Sequence, residues 1–192
     1  YTIMKKALIL LVMSLYSIGT FAQTQWQVDP YHSSLNFSIK HSGISLVNGK
    51  FIDYTGCLTT NGDALSDAQF NFNVQVTSID TNVDARDKHL RSADFFEAET
   101  YPSMTFKSTK ILATGKPNQY LLYGDLTIKG ITKPVIFDVY YGGTAKSDQG
   151  EKIGLKAKTT INRFDYNINY DPTAAGIGKD VHIVVHLQFA AQ

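Results

Sequence analysis

The chain has 192 residues, eighteen Lys+Arg against seventeen Asp+Glu and a single cysteine, Cys57. Setting residues 1–22 aside as a leader leaves sixteen basic against seventeen acidic residues, a net charge of −1, which removes the positive excess that nucleic-acid binding requires. One cysteine cannot close an internal disulfide, so a domain of about 170 residues must be held by its apolar core.

The leader is read from Lys5 and Lys6, the apolar run Ala7 to Tyr16, and a Thr20-Phe21-Ala22 site with small residues at −3 and −1. A bilayer span needs roughly 20 apolar residues, so the run fits a signal peptide better than an anchor. Cleavage after Ala22 puts Gln23 first. No cysteine follows the site for lipid attachment and no later segment is apolar enough to span, so a soluble protein, periplasmic or secreted, is expected from residue 23 to 192. Tyr1–Ile3 precede a start-like Met4 and are left out of the fold reading.

Beyond residue 30 the chain alternates apolar and polar residues with a period of two, the mark of half-buried strands. The first is Leu35/Phe37/Ile39/His41, followed by a weaker strand over about 49–59 and an Asn61-Gly62-Asp63 turn. The clearest is Phe70/Phe72/Val74/Val76, set against Gln69, Asn71, Asn73, Gln75 and Thr77. Residues 82–99, rich in charge, break the rhythm and predict one or two short helices. A weaker strand over about 104–112 leads to the Gly115-Lys116-Pro117-Asn118 turn. The alternation then resumes in Leu122/Gly124/Leu126/Ile128, Val135/Phe137/Val139/Tyr141, Ile153/Leu155/Ala157/Thr159/Ile161 and Val181/Ile183/Val185/Leu187/Phe189, separated by glycine-rich turns. Eight strands with tight turns predict a single all-β domain, a closed antiparallel barrel or a sandwich, with one short helical insert. An eight-stranded barrel is either filled by its side chains or wide enough for one ligand. Strands of about ten residues, roughly 34 Å, and inward sets that mix phenylalanines with Gly124, Ala157 and Thr159 lean toward a cavity.

His182 and His186 share a strand face about 13 Å apart, too far to chelate one ion, and His32 and His41 are also too distant, so no metal is expected. In His32-Ser33-Ser34 adjacent strand side chains point to opposite faces, and no G-x-S-x-G elbow exists, so no catalytic residue is assigned. Thr173 to Asp180 lacks the first glycine and the Ser/Thr of a phosphate loop. Cys57 has no flanking base to lower its pKa, which favours an inert strand cysteine over an intermolecular cross-link or a reactive thiol. The insert also has two. It is a lid with Leu90, Phe95 and Phe96 facing inward and Arg86, His89 or Arg91 donating to an anionic head group, or a solvated connection in which Asp84 caps a helix and acids and bases pair locally.

Taken in order, these pieces resemble the YceI-like, polyisoprenoid-binding family. The resemblance rests on Trp26-Gln-Val-Asp-Pro-Tyr-His-Ser33, Phe37-Ser-Ile-Lys-His41, Gly49-Lys-Phe51, Ser78-Ile-Asp-Thr81, Arg86-Asp-Lys-His-Leu-Arg-Ser-Ala-Asp-Phe-Phe96, Tyr101-Pro-Ser-Met-Thr-Phe106, Gly124-Asp-Leu-Thr-Ile-Lys-Gly-Ile-Thr-Lys-Pro134, Arg163-Phe-Asp165 and Gly178-Lys-Asp-Val181. One departure is Asn167, where the family has Gly; Asn also tolerates a positive φ. The resemblance implies an elongated, eight-stranded, lipocalin-like antiparallel barrel whose apolar tunnel holds an isoprenoid chain or similar amphiphile, for transport or storage. It implies no enzyme activity, no metal, no cofactor beyond the lipid ligand, no stable membrane insertion, and often a homodimer. Candidate ligand contacts are the inward residues Phe37, Ile39, His41, Phe70, Phe72, Val74, Phe106, Leu126 and Phe137, with Arg86, His89, Leu90 and Phe95 from the insert. Two alternatives stand beside this: an enzyme or accessory factor acting on isoprenoid lipids, for which no aspartate-rich magnesium motif is present, and a structural barrel without ligand.

Overall fold

Alternation of apolar and polar side chains gives each strand one face that must be hidden from water, and closing the sheet on itself hides all of these faces at once. The computed structural model describes residues 23–61, 65–148 and 150–192. The expected signal peptide, residues 1–22, lies outside the described residues, as do Gly62, Asp63 and Gln149 of the expected turns.

The strands are β1 (Thr24–Val28), β2 (Ser34–His41), β3 (Ser45–Phe51), β4 (Tyr54–Thr60), β5 (Gln69–Gln75) and β6 (Ile79–Asp80), then the helix α1 (Asp84–Arg91). After it come β7 (Ser103–Ala113), β8 (Gln119–Ile128), β9 (Ile131–Ser147), β10 (Gly150–Asn162) and β11 (Ile177–Ala191). The order β1-β4-β5-β7-β8-β9-β10-β11 is closed by pairing of β1 with β11, an eight-stranded antiparallel barrel, while β2, β3 and β6 extend the sheet. The registers explain the extensions. β1 and β2 lie along the same edge of β11, Val28 opposite Phe189 and Ser34 opposite His186, so they are two halves of one long strand. β3 with β4, and β5 with β6, are likewise halves of single strands running along their neighbours.

The three interruptions sit side by side. At residues 29–33 Pro30 opens a 3-10 turn; the Asp29 carboxylate accepts from the Tyr31 amide (3.0 Å), and the Asp29 amide donates to the Gln188 carbonyl (2.8 Å). Ser33 Oγ accepts from the Gln188 amide at 2.9 Å, pinning the break to β11. Next to it the Asp53 carbonyl accepts from the Gln75 amide (2.9 Å), and beyond that residues 76–78 form a second 3-10 turn whose Val76 amide reaches the Pro102 carbonyl (2.9 Å). Above this line β6 ends the hydrogen-bonded order, and α1 with residues 92–102 covers the gap between it and β7, burying Phe95 and Ala98 against Val76, Met104, Ile128 and Tyr166.

At the end of the barrel holding the β4–β5 and β7–β8 connections, Trp26, Leu58, Leu65, Phe70 and Phe189 pack into a buried cluster that closes the interior. Two glycines shape the wall above it. A Cβ on Gly49 would stand 2.3 Å from the Phe37 ring, and one on Gly56 2.3 Å from the Phe72 ring. Each ring therefore lies against the neighbouring strand's backbone instead of across the lumen.

The insert over 82–99 holds one α-helix, and Asp84 does not cap it. The cap position is Val83, which has no side-chain capping bond, and Asp84 is the first helical residue, where its charge favours the helix N-terminus. Among the described residues four 3-10 turns, at 30–32, 65–67, 76–78 and 163–166, add helical geometry that the alternation does not reveal. Asn167 adopts a φ of 55° at the end of the last of them.

Candidate functional site

The barrel encloses a cavity of about 690 Å³. Phe37, Ile39 and His41 line it from β2, and Phe70, Phe72 and Val74 from β5. Phe106, Leu126 and Phe137 complete the opposite wall from β7, β8 and β9, with the Phe106 and Phe137 rings edge to face at 5.3 Å. Arg86, His89 and Leu90 of α1 and Phe95 beyond it border the same space. The fold thus brings all thirteen candidate contacts around one cavity.

Other residues outside the thirteen candidates line the same space, including the inward Ala157. Ala157 on β10 and Val181, Ile183 and Val185 on β11 lie on faces whose alternation is plain, so a rule that took every inward position would have found them. Arg163, Tyr166 and Tyr170 come from the irregular segment between β10 and β11, where periodicity carries no signal. Thr159 shares the inward parity but lies outside the lining, its hydroxyl donating to the Ile136 carbonyl at 2.8 Å.

Arg163 organises that segment. Only 3% exposed, it donates from Nε to the Gly178 carbonyl (2.9 Å), from Nη1 to Ile168 (2.6 Å), and from Nη2 to Asp171 (2.9 Å) and Ile177 (3.0 Å). Burial works against its charge, and the Asp171 carboxylate partly offsets this. Burial also pushes the neighbouring Tyr166 phenol up to about 12. The Asp171 carboxylate accepts from the amides of Ile177 and Gly176, both at 2.8 Å, and from the Thr173 hydroxyl at 2.7 Å. These bonds, the one from Ile177 foremost, hold its pKa at about 2, below the ordinary 3.8. A depressed carboxylate stabilises the fold above its unfolded pKa and loses that contribution as pH falls through the folded value. The melting-temperature gap between wild type and Asp171→Asn is therefore expected at pH 5 and to narrow from about pH 4 to about pH 2. A gap that stays constant over this range would contradict the assignment.

The insert's charged residues are engaged locally. Arg86 donates from Nε to Thr81 Oγ1 and from Nη2 to the Thr81 carbonyl, both at 2.7 Å, and Asp87 accepts from the Thr81 amide at 3.0 Å and hydroxyl at 2.5 Å. His89 Nε2 lies 2.9 Å from the Asp94 carboxylate. The His89 ring also meets Phe95 and Tyr170 edge to face, both at 5.0 Å, joining α1, the following segment and the β10–β11 connection. The titratable nitrogen side chains on the lining are Lys40, His41, Arg86, His89 and Arg163, and among the described lining residues none is Asp or Glu. No group of three His, Cys, Asp or Glu side chains placed to hold a metal occurs among the described residues. No helix among them is long and apolar enough to cross a membrane.

Residues 26–189 match the YceI-like domain. Protein YceI of Escherichia coli O6:H1 is 34% identical over 194 residues, covering 98% of this chain and all of that one. The crystal structure of the Campylobacter jejuni YCEI protein, 31% identical, superposes with a TM-score of 0.72 over 80% of this chain and 90% of that one. A polyisoprenoid binding domain from Saccharophagus degradans, 19% identical, shares the fold with a TM-score of 0.69 over 87% and 98% of the two chains.

Proposed function

The chain belongs to the YceI-like family, and on that premise we propose that it is an exported, non-catalytic carrier or store that holds one long apolar chain, a polyisoprenoid or similar amphiphile, inside its barrel. The observation that carries the reading is the cavity: about 690 Å³, walled by apolar side chains and closed at one end by the cluster around Trp26, Leu58 and Phe189. The likeness to a polyisoprenoid binding domain supports the same ligand class.

The dimensions narrow that class. The lining follows β11 from Ile177, past the bulge before Val181, to Leu187, so the space runs lengthwise through the barrel. About 690 Å³ spread along a strand in this way suits an extended apolar chain more than a compact ring system. Each buried CH₂ contributes about 0.8 kcal/mol, so burial alone can hold a long tail. The basic residues near the lining favour a neutral or anionic polar end over a cationic one. An enzyme acting on isoprenoid pyrophosphates would want carboxylates for magnesium facing the cavity, and the described lining supplies none.

Organic extraction and mass spectrometry of protein purified from the exported fraction tests the proposal. One single-chain lipid per protein, on a chain beginning at Gln23, is the expected result. Ala157→Phe, which fills the lumen from β10, should weaken lipid retention by about tenfold or more, since the ring displaces at least two CH₂ groups. Wild-type protein that neither co-purifies with nor rebinds any long-chain lipid would overturn the reading; retention of residues 4–22 in a membrane pellet would overturn the exported, soluble part of it.

A further inference from the structure

The position of the tunnel mouth follows from its lining. Among the lining residues the exposed ones are Lys40, His41, Val83, Ala85, Thr105 and Tyr170; all but Thr105, which lies on the wall strand β7, gather between the end of β2, the start of α1 and the β10–β11 connection, where the opening lies. The β2–β3 turn stands beside it, tied down where the Ser42 amide donates to the Gly176 carbonyl at 2.7 Å. At the tip of this turn Ile44 is 90% exposed, and Leu46, pointing outward from β3, is 55% exposed. Val83 and Tyr170, on the rim itself, are 45% and 43% exposed. Water gains nothing from large apolar groups displayed around an opening, and such a cluster marks a surface that meets something less polar.

The charge beside these residues has one sign along the hairpin. From Ser33 to Ile52 the chain carries Lys40, His41 and Lys50 and no acidic residue. Lys50 pairs with Asp80 at 3.4 Å, whereas Lys40, which also borders the cavity, and Lys179 are exposed on neighbouring strands by the mouth, with Asp180 beside Lys179 and Asp84 beside Val83 as the exposed acids. Exposed apolar tips flanked by lysines suit the interface of an anionic bilayer, where apolar groups enter among the head groups and lysines meet phosphate. The tips stand apart around a hole, not as one continuous face, and a fluid head-group layer requires no matching shape.

We propose that the β2–β3 hairpin docks the barrel mouth-first on an anionic lipid surface, Ile44 and Leu46 inserting among the head groups while Lys40 and Lys179 face their phosphates. This rests on the lipid-holding reading, and it names the surface with which the tunnel exchanges its contents: a ligand that enters water so unwillingly must pass to and from a membrane without crossing open solvent.

Flotation of the exported protein with vesicles of phosphatidylcholine, alone or with about a third phosphatidylglycerol, tests the proposal. Wild type should float with the anionic vesicles and less with the neutral ones. Ile44→Ser with Leu46→Ser should lower that association by about tenfold or more, as two apolar side chains no longer leave water. Ile136→Ser with Tyr140→Ser, which removes exposed apolar groups from the outer wall on β9, should float like wild type. Extraction should find the lipid content of the hairpin variant unchanged. The proposal falls if wild type floats with neither vesicle, if the hairpin variant floats like wild type, or if both variants lose equally. It also falls if sedimentation without vesicles shows that the hairpin substitutions only split a dimer, for then the hairpin meets a second copy of the chain. An empty tunnel in extracted wild type sinks the lipid-holding reading instead, and flotation reports the docking separately.

Discussion

Phe72→Asp is expected to empty the barrel or unfold it, and Asn73→Asp, one residue further, to do neither. Phe72 lines the cavity, lies over Gly56 and meets Phe189 edge to face at 6.1 Å. Replacing it removes that aromatic contact and sets a carboxylate in an apolar wall, where the nearby cation Lys107 of β7 is exposed on the opposite face of the sheet. Burying an uncompensated polar group of this kind costs several kcal/mol, a large share of the 5–15 kcal/mol that typically holds a domain together. Asn73 points to solvent on the same strand, where a carboxylate stays hydrated. Thermal melts and lipid retention of the two variants decide the matter. Similar behaviour in both assays would mean that the register of β5 is wrong by one residue, since a one-residue slip exchanges the faces.

Arg163→Met is expected to cost about 3–5 kcal/mol, because it removes charged donors and leaves the carbonyls of Ile168, Asp171, Ile177 and Gly178 without them. For a domain of this size that corresponds to a fall in melting temperature of roughly 10 °C. Arg163→Lys should recover only part of it, since one ammonium group cannot span four acceptors as a planar guanidinium does. The loss should also loosen Tyr170, whose segment Arg163 holds against α1, and so speed lipid release even where the variant remains folded. A change below about 2 °C would show that water replaces the guanidinium at no cost, and that the segment is held by Asp171 instead.

The face assignment that the first prediction tests was legible from Gln69 to Thr77 because a barrel wall has one wet and one dry side, and the sequence repeats that distinction every second residue. The same rule could not find β1 or the break after it. Thr24–Val28 is too short to show a period, and the turn at Pro30 depends on Ser33 meeting Gln188 from the far end of the chain. Around the cavity, legibility followed the same division. Positions on regular strands could be assigned from their neighbours, whereas Arg163, Tyr166 and Tyr170 lie on an irregular segment held by the bonds of Arg163 to carbonyls that no local pattern encodes. In the insert, the pairing of His89 with Asp94 lay within reach of sequence spacing, but the capture of Arg86 and Asp87 by Thr81 did not. Thr81 sits before the helix, and its double role needs the backbone to turn there.

The barrel is closed by its first strand against its last, with Trp26 opposite Ala191 and Val28 opposite Phe189. With β1 and β2, β3 and β4, and β5 and β6 each counted as one long broken strand, every other pairing in the ring joins strands that follow one another along the chain, so each can form once both of its partners have emerged. The closing seam has no such freedom. Until residues 177–191 exist and arrive, β1 and β2 have one bare edge and β10 another, and the lumen is a groove open along its length. A chain delivered from its N-terminus, by a ribosome or through a membrane pore, therefore carries its two unpaired edges until residues 177–191 have emerged. Nothing can be sealed within the enclosed space before β11 has taken its place.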